Sequence, residues 1–187
     1  LQSILGHPVS TDTYTSSRFN LIVNDVGSFC LLNAIIALTG FKGQINLIPS
    51  TNVSSIPLMC NIFMGWGMEF GVLLFDNDVE IGIGESLKKN VFKTESSGNE
   101  LVIKMPGMFH NAEDLLSTLD FKNHILNSRE GITIPNSQYT KEKEVPRNFV
   151  FSRFLSNVQE GLIKPSDFDE ESLENFKLVT DLLKALK

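Results

Sequence analysis

Residues 19–38 read FNLIVNDVGSFCLLNAIIAL, and this stretch decides how the chain is built. Phe19-Asn-Leu-Ile-Val23 is a short run of aromatic and branched side chains, which predicts a strand. Asn24-Asp25-Val26-Gly27 supplies turn residues, and Ser28 stands where a helix cap is expected. The helix that follows runs to Leu38 and stops at Gly40, a residue free to take the left-handed conformation that ends helices. Asn33 is its only polar interior residue. A helix apolar on nearly every side belongs inside a core rather than on a surface.

Working downstream, residues 44–48 predict another short strand. Residues 58–64 are apolar with little alternation, which reads as a strand buried on both faces. Residues 71–75 and 79–83 flank Asp76-Asn77-Asp78, a hairpin pattern. Residues 90–94 and 100–105 flank Ser96-Ser97-Gly98-Asn99, a second hairpin with residues suited to positive φ. A helix is expected over 111–119, using Leu115, Leu116 and Leu119. The expected class is therefore α+β: an antiparallel or mixed sheet with a buried central helix and a helical C-terminal appendage. Its divisions are an α+β core over 1–125, a polar linker over 126–148 and a helical segment over 149–187. The final helix starts near Ser166 or Asp167 and carries Leu173, Phe176, Val179, Leu183 and Leu186 at helical spacing. Such a stripe packs on the chain's own core or fills a partner's groove. On the second reading, Phe176, Val179, Leu183 and Leu186, with Trp66 between two glycines, are the candidate partner-binding residues.

The 187 residues are 42% hydrophobic and 20% charged, which excludes a disordered or low-complexity chain. The net charge of −6 argues against a surface built to grip phosphates. Charge is distributed unevenly: up to Met68 the only charged side chains are Asp12, Arg18, Asp25 and Lys42. This region is either core with uncharged polar loops or, because interface centres are depleted in charge, a surface that faces a partner. The first residues lack a basic n-region and a long apolar run, so no secretory leader is expected. The uncharged stretch 43–68 is interrupted by Pro49 and Pro57 and does not read as a membrane span. Two cysteines cannot make a disulfide scaffold, and an intracellular setting, cytoplasmic or nuclear, is expected.

Metal chemistry finds little support: His7, His110 and His124 are far apart, and there is no CxxC. The run from Asp76 to Gly82 departs from a calcium loop, with Leu87 where a bidentate Glu belongs. Residues 65–71 have one residue too many for a dinucleotide fingerprint. No metal and no cofactor are expected. Lys88, Lys89, Lys93 and Lys104 are the only plausible basic cluster, so nucleic acid would be met only through an assembly. Cys30 is the one nucleophile candidate, because a thiol opening a helix gains from the dipole and from free N–H groups. The alternative is that of a buried structural cysteine.

The segment GSFCLLNAII around Cys30 resembles the cysteine box of papain-like peptidases. That resemblance implies Cys30 as nucleophile, His124 as base, Asn136 as orienter and Asp25 at an oxyanion position. A longer likeness covers residues 10–120. Tyr14-Thr-Ser-Ser17 leading into the first strand, the Asp25-Val26-Gly27-Ser28 turn and the buried helix resemble, in order, the second half of ribonuclease PH-type domains. Arg18 and Asn20 stand where active members of that family keep paired acidic residues. The resemblance thus implies a catalytically silent copy, like the structural subunits of the exosome ring. The expected function is a non-catalytic interaction or scaffold subunit, with a protein partner or a homo-oligomer and no membrane. The alternative is a cysteine peptidase acting through Cys30.

Overall fold

A computed structural model describes residues 19–80, 82, 83, 87, 100–128 and 131–186. The opening stretch folds as read: strand β1 (Phe19–Val23) turns into helix α1 (Val26–Thr39). Asp25, rather than Ser28, is the N-cap, its carboxylate accepting from the Ser28 N–H at 2.7 Å. Gly40, at φ +64°, closes the helix in the left-handed region.

The sheet overturns the antiparallel or mixed expectation. Its four strands run in the order β2-β1-β3-β4, with β2 at Ile45–Pro49, β3 at Phe70–Leu74 and β4 at Glu100–Lys104. Every pairing is parallel, β1 with β2, β1 with β3 and β3 with β4, so the class is α/β. The reason lies in residues 58–64, expected as a strand. They belong to helix α2 (Ile56–Gly65), which buries Ile56, Cys60 and Phe63 at helical spacing. A helix between β2 and β3 makes a crossover, and crossovers return strands parallel. The Asp76–Asp78 hairpin is likewise corrected: Asp76–Glu80 is a short helix, α3. The second hairpin's turn and first arm lie outside the described residues.

Both faces of the sheet are covered. Leu21, Val23, Leu47, Leu73 and Phe75 face the layer of α1. Ile22, Ile48, Phe70, Val72 and Leu74 face α2, with Ile83 and Leu87. The period-2 alternation is therefore real, but both sets are apolar, as parallel sheets require.

After β4, a single 3-10 turn (Ala112–Leu115) replaces most of the helix expected over 111–119. Helix α4 (Thr118–Asp120) follows, continuing as a π-helical stretch to Leu126. The segment read as a polar linker carries helix α5 (Asn136–Glu142), with Asn136, Ser137 and Thr140 buried. Helices α6 (Arg147–Gln159) and α7 (Glu170–Lys184) complete the chain. They are not an appendage: Phe151, Phe154, Phe176 and Leu183 share one core cluster with Leu31, Ile35 and the sheet. Helix α1 packs most extensively on α6. Gly27 lets them approach, because a Cβ there would lie 3.2 Å from the Arg147 Cβ and 3.3 Å from the Phe151 ring. The largely apolar α1 thus lies between sheet and α6, as its composition demanded.

Candidate functional site

In open parallel sheets, ligands are held at the carboxyl ends of the strands, beside the point where strand order reverses. Here that point lies between β1 and β3, and four loops bring polar residues to it. β1 delivers Asn24 and Asp25, β2 delivers Ser50 to Asn52, and β3 delivers Asp76 to Asp78. The segment after β4 brings His110, Asn111, Glu113 and Asp114.

These groups mostly bind one another. Ser50 ties the first two loops together, its hydroxyl donating to the Asn24 carbonyl at 2.7 Å. Asn24 is 3% exposed, and its amide nitrogen donates to Asp78 at 3.2 Å and to the Asn111 oxygen at 3.3 Å. Asp78 also accepts from the Phe75 N–H at 2.9 Å. Burial pushes the Asp78 carboxyl above its ordinary value, against the pull of these hydrogen bonds. Asp114 accepts from the N–H groups of His110, Asn111 and Ser137, and His110 Nδ1 lies 3.2 Å from Asp76.

Arg147, opening α6, enters this edge from the helical layer. Its guanidinium donates to Asp25, to Glu113 at 2.8 Å and to the Ser28 hydroxyl at 3.3 Å. Glu113 is 1% exposed, and burial pushes its carboxyl up in spite of Arg147. Burial works against the Arg147 charge as well, but Glu113 and Asp25 outweigh it and hold its pKa above the ordinary value. Among the described residues, no group of three or more His, Cys, Asp or Glu side chains is arranged to hold a metal ion.

The residues of the cysteine-peptidase reading have other partners. Cys30 is fully buried in α1, where burial, and then the Asp25 charge, push its thiol up to about 11. His124 Nε2 lies 3.0 Å from the Asp167 carbonyl and 3.7 Å from Asp120. Asn136 donates to the Glu113 and Leu116 carbonyls at 3.0 and 2.7 Å. Among the described residues, no hydrogen bond joins the three. A thiol with this pKa is almost wholly protonated at neutral pH. Iodoacetamide at pH 7 is therefore expected to label folded Cys30 at least about a hundredfold more slowly than the urea-unfolded chain. Peptide mass spectrometry checks this, and comparable rates would show a reactive thiolate.

The partner-binding candidates divide. Phe176, Val179 and Leu183 are buried in the chain's own core and Leu186 packs against it, so the α7 stripe is not a free face. Trp66 is 66% exposed at the end of α2. Leu58 at 63%, Ile62 at 40% and Met64 at 40% accompany it, and Met59, Ile62, Phe63 and Trp66 line a shallow cleft of about 200 Å³. Of the basic cluster, Lys104 is exposed on β4, and Lys88, Lys89 and Lys93 lie outside the described residues.

Sequence reasoning missed Asn24, Asp78, Glu113 and Arg147. Arg147 is 122 positions from Asp25, so no local spacing announces their pairing. No protein-family model matches the chain, and the curated proteins and solved structures yield no match either. Among the described residues, no helix is long and apolar enough to cross a membrane.

Proposed function

We propose that this chain is an interaction module of a larger assembly and that its first partner is a second copy of itself, docked α2 to α2. The exposed apolar row Leu58–Ile62–Trp66, spaced four residues apart along the helix, carries this reading. The chemistry of that row and of the segment around it supports self-association. Trp is among the side chains that dominate binding energy at interface centres, and the aliphatic neighbours of Trp66 exclude water around it. No charged residue occurs from Gly43 to Met68. The chain as a whole is at −6, so two copies repel elsewhere, and this charge-free segment is where they meet without opposing like charges. A two-fold axis through such a patch places Trp66 of each copy against the Leu58–Ile62 row of the other.

Sedimentation velocity over a micromolar concentration series tests the proposal. The expected result is a concentration-dependent dimer that Trp66→Glu weakens by about a hundredfold. Circular dichroism should be unchanged, because the side chain is mostly in solvent. A wild-type chain that stays monomeric throughout, or a Trp66→Glu chain that pairs equally well, overturns it.

A further inference from the structure

Between the π-helical stretch and the end of α6 lies a cleft of about 320 Å³, at the small end of ligand sites. The π-helical stretch and its cap bring Asn123, His124 and Asn127 to it, and α6 brings Arg153 and Asn157. Leu162 and Ile163 complete the lining. Gly161, at φ +71°, folds the chain back there, and the N–H groups of both residues donate to the Asn157 carbonyl. π-helical turns are rare and concentrate at functional sites. This one ends on Asn127 at φ +52°, in the left-handed region that Asn enters more readily than most residues.

The polar groups of this cleft are accessible. Asn123, Asn127 and Arg153 are exposed, and Asn157 is half-buried. Among the described residues, the three carboxamides have no hydrogen-bond partner and no carboxylate pairs with Arg153. Arg147, by contrast, is held by Asp25 and Glu113. Arg153 Nη2 donates to the Ile125 carbonyl at 2.6 Å, and the guanidinium carbon lies over the Phe149 ring, 6.0 Å from its centre. A ring contact of this kind steadies the guanidinium without using its N–H groups, so Nε and Nη1 remain as donors. His124 turns Nε2 to the Asp167 carbonyl and packs on Phe168, which fixes that wall. Asp120 reaches His124 Nε2 at 3.7 Å but is itself buried, and no carboxylate is among the lining residues.

Charge and donor count narrow the choice of ligand. A guanidinium that no carboxylate neutralises selects an anion. A carboxylate has two oxygens, and the arginine fork occupies both. A phosphate monoester has three terminal oxygens and leaves acceptor positions for the carboxamides. The carboxamide oxygens accept as well, so hydroxyl groups beside the phosphate use both ends of each amide. We propose that this cleft binds the phosphate monoester of a small polyhydroxy compound. Arg153 holds the phosphate, and Asn123, Asn127 and Asn157 meet its remaining oxygens and the hydroxyls. One phosphate needs only this local donor set, not the basic surface that a net charge of −6 argues against. The proposal is independent of the α2 pairing, since none of the cleft residues lies on α2.

Nuclear magnetic resonance of the isotope-labelled protein, titrated with glycerophosphate and with ribose phosphate, tests it, with acetate and glycerol as comparisons. At least one monoester is expected to give saturable shifts at about millimolar concentration. The shifts should centre on the side-chain amides of Asn123, Asn127 and Asn157 and on Arg153 Nε, and glycerol should give none. Arg153→Gln should weaken binding by about tenfold or more. Asn123→Asp, which sets a negative charge at an exposed position in the cleft, should do the same with an unchanged melting temperature. Failure of both monoesters to saturate overturns the proposal, as do shifts centred elsewhere or binding indifferent to both substitutions. Acetate that binds as tightly as the monoesters overturns it in favour of a general anion surface.

Discussion

Arg147→Met is expected to destabilise the fold by about 3–5 kcal/mol, the cost of leaving a buried charge without its partner. Glu113 is the group that makes the change severe, because it is 1% exposed and Arg147 is its only cationic partner among the described residues. Asp25 loses the same partner but keeps the Ser28 N–H and partial exposure to water. The substitution also unties α6 from the sheet edge, since Arg147 is the side chain that joins α6 to both carboxylates. A pH dependence accompanies the loss. The folded-state pKa of Glu113 is already raised, and removing Arg147 raises it further. A carboxyl raised in the fold binds its proton more tightly there than in the unfolded chain. The folded state is therefore favoured at low pH and penalised as pH rises above the ordinary carboxyl value. The Arg147→Met deficit should be smallest near pH 4.5 and largest at neutral pH. Adding Glu113→Gln to Arg147→Met should recover more than half of the deficit at pH 7, since no charge is then stranded. Urea denaturation of the three proteins at both pH values measures this. A single-variant loss below about 1 kcal/mol, or no recovery in the double variant, would mean that the pair contributes little.

Ending the chain at Pro146 is expected to abolish cooperative folding rather than to release a stable sheet domain. Helix α1 is apolar on both sides and lies between the sheet and α6. Losing α6 and α7 removes Phe151, Phe154, Leu155, Phe176, Val179 and Leu183 from the larger core cluster. At about 1.5–3 kcal/mol per buried side chain, the loss is roughly the whole stability of a domain this size. The truncated chain should bind a hydrophobic dye, lose its near-ultraviolet dichroism and melt without a sharp transition. A truncated chain with a cooperative melt would show that residues 19–146 form an independent unit.

The parts legible in the sequence were those whose pattern has one physical meaning. Residues 19–40 gave strand, turn and buried helix because Gly40 stops a run too apolar for a surface. The stripe of α7 was legible because polar residues surround it on every other side. Helix α2 was not, and the cause is specific. Leu58, Ile62, Met64 and Trp66 are exposed where a surface helix normally carries charge, which hides the Ile56–Cys60–Phe63 period. The same exposed side chains that suggest an interface made the segment look like a strand. A strand at α2 would make its neighbours hairpins and the sheet antiparallel, whereas a helix there makes the crossover that leaves the strands parallel. Asp76-Asn77-Asp78 compounded this, since residues that favour turns also open helices.

Of the candidate sites, Trp66 was visible as a lone aromatic between glycines, and its exposure is what the structure adds. The edge network was not visible. Asn24, Asp78, Glu113 and Arg147 are scattered over more than a hundred positions and meet only because parallel crossovers bring every strand's carboxyl end to one side of the sheet.

By itself, the sequence determined that one helix must lie inside a core, that the chain is poor in charge up to Met68, and that its C-terminal segment is helical. These follow from local composition and periodicity, which each segment carries within itself. Strand direction, the covering of α1 by α6, the pairing of Arg147 with Asp25 and Glu113, and the cleft between the π-helical stretch and α6 were decided only by the tertiary structure. Each depends on which distant segments share a boundary, and hydrophobic pattern sets how much of a segment is buried without naming the surface that buries it.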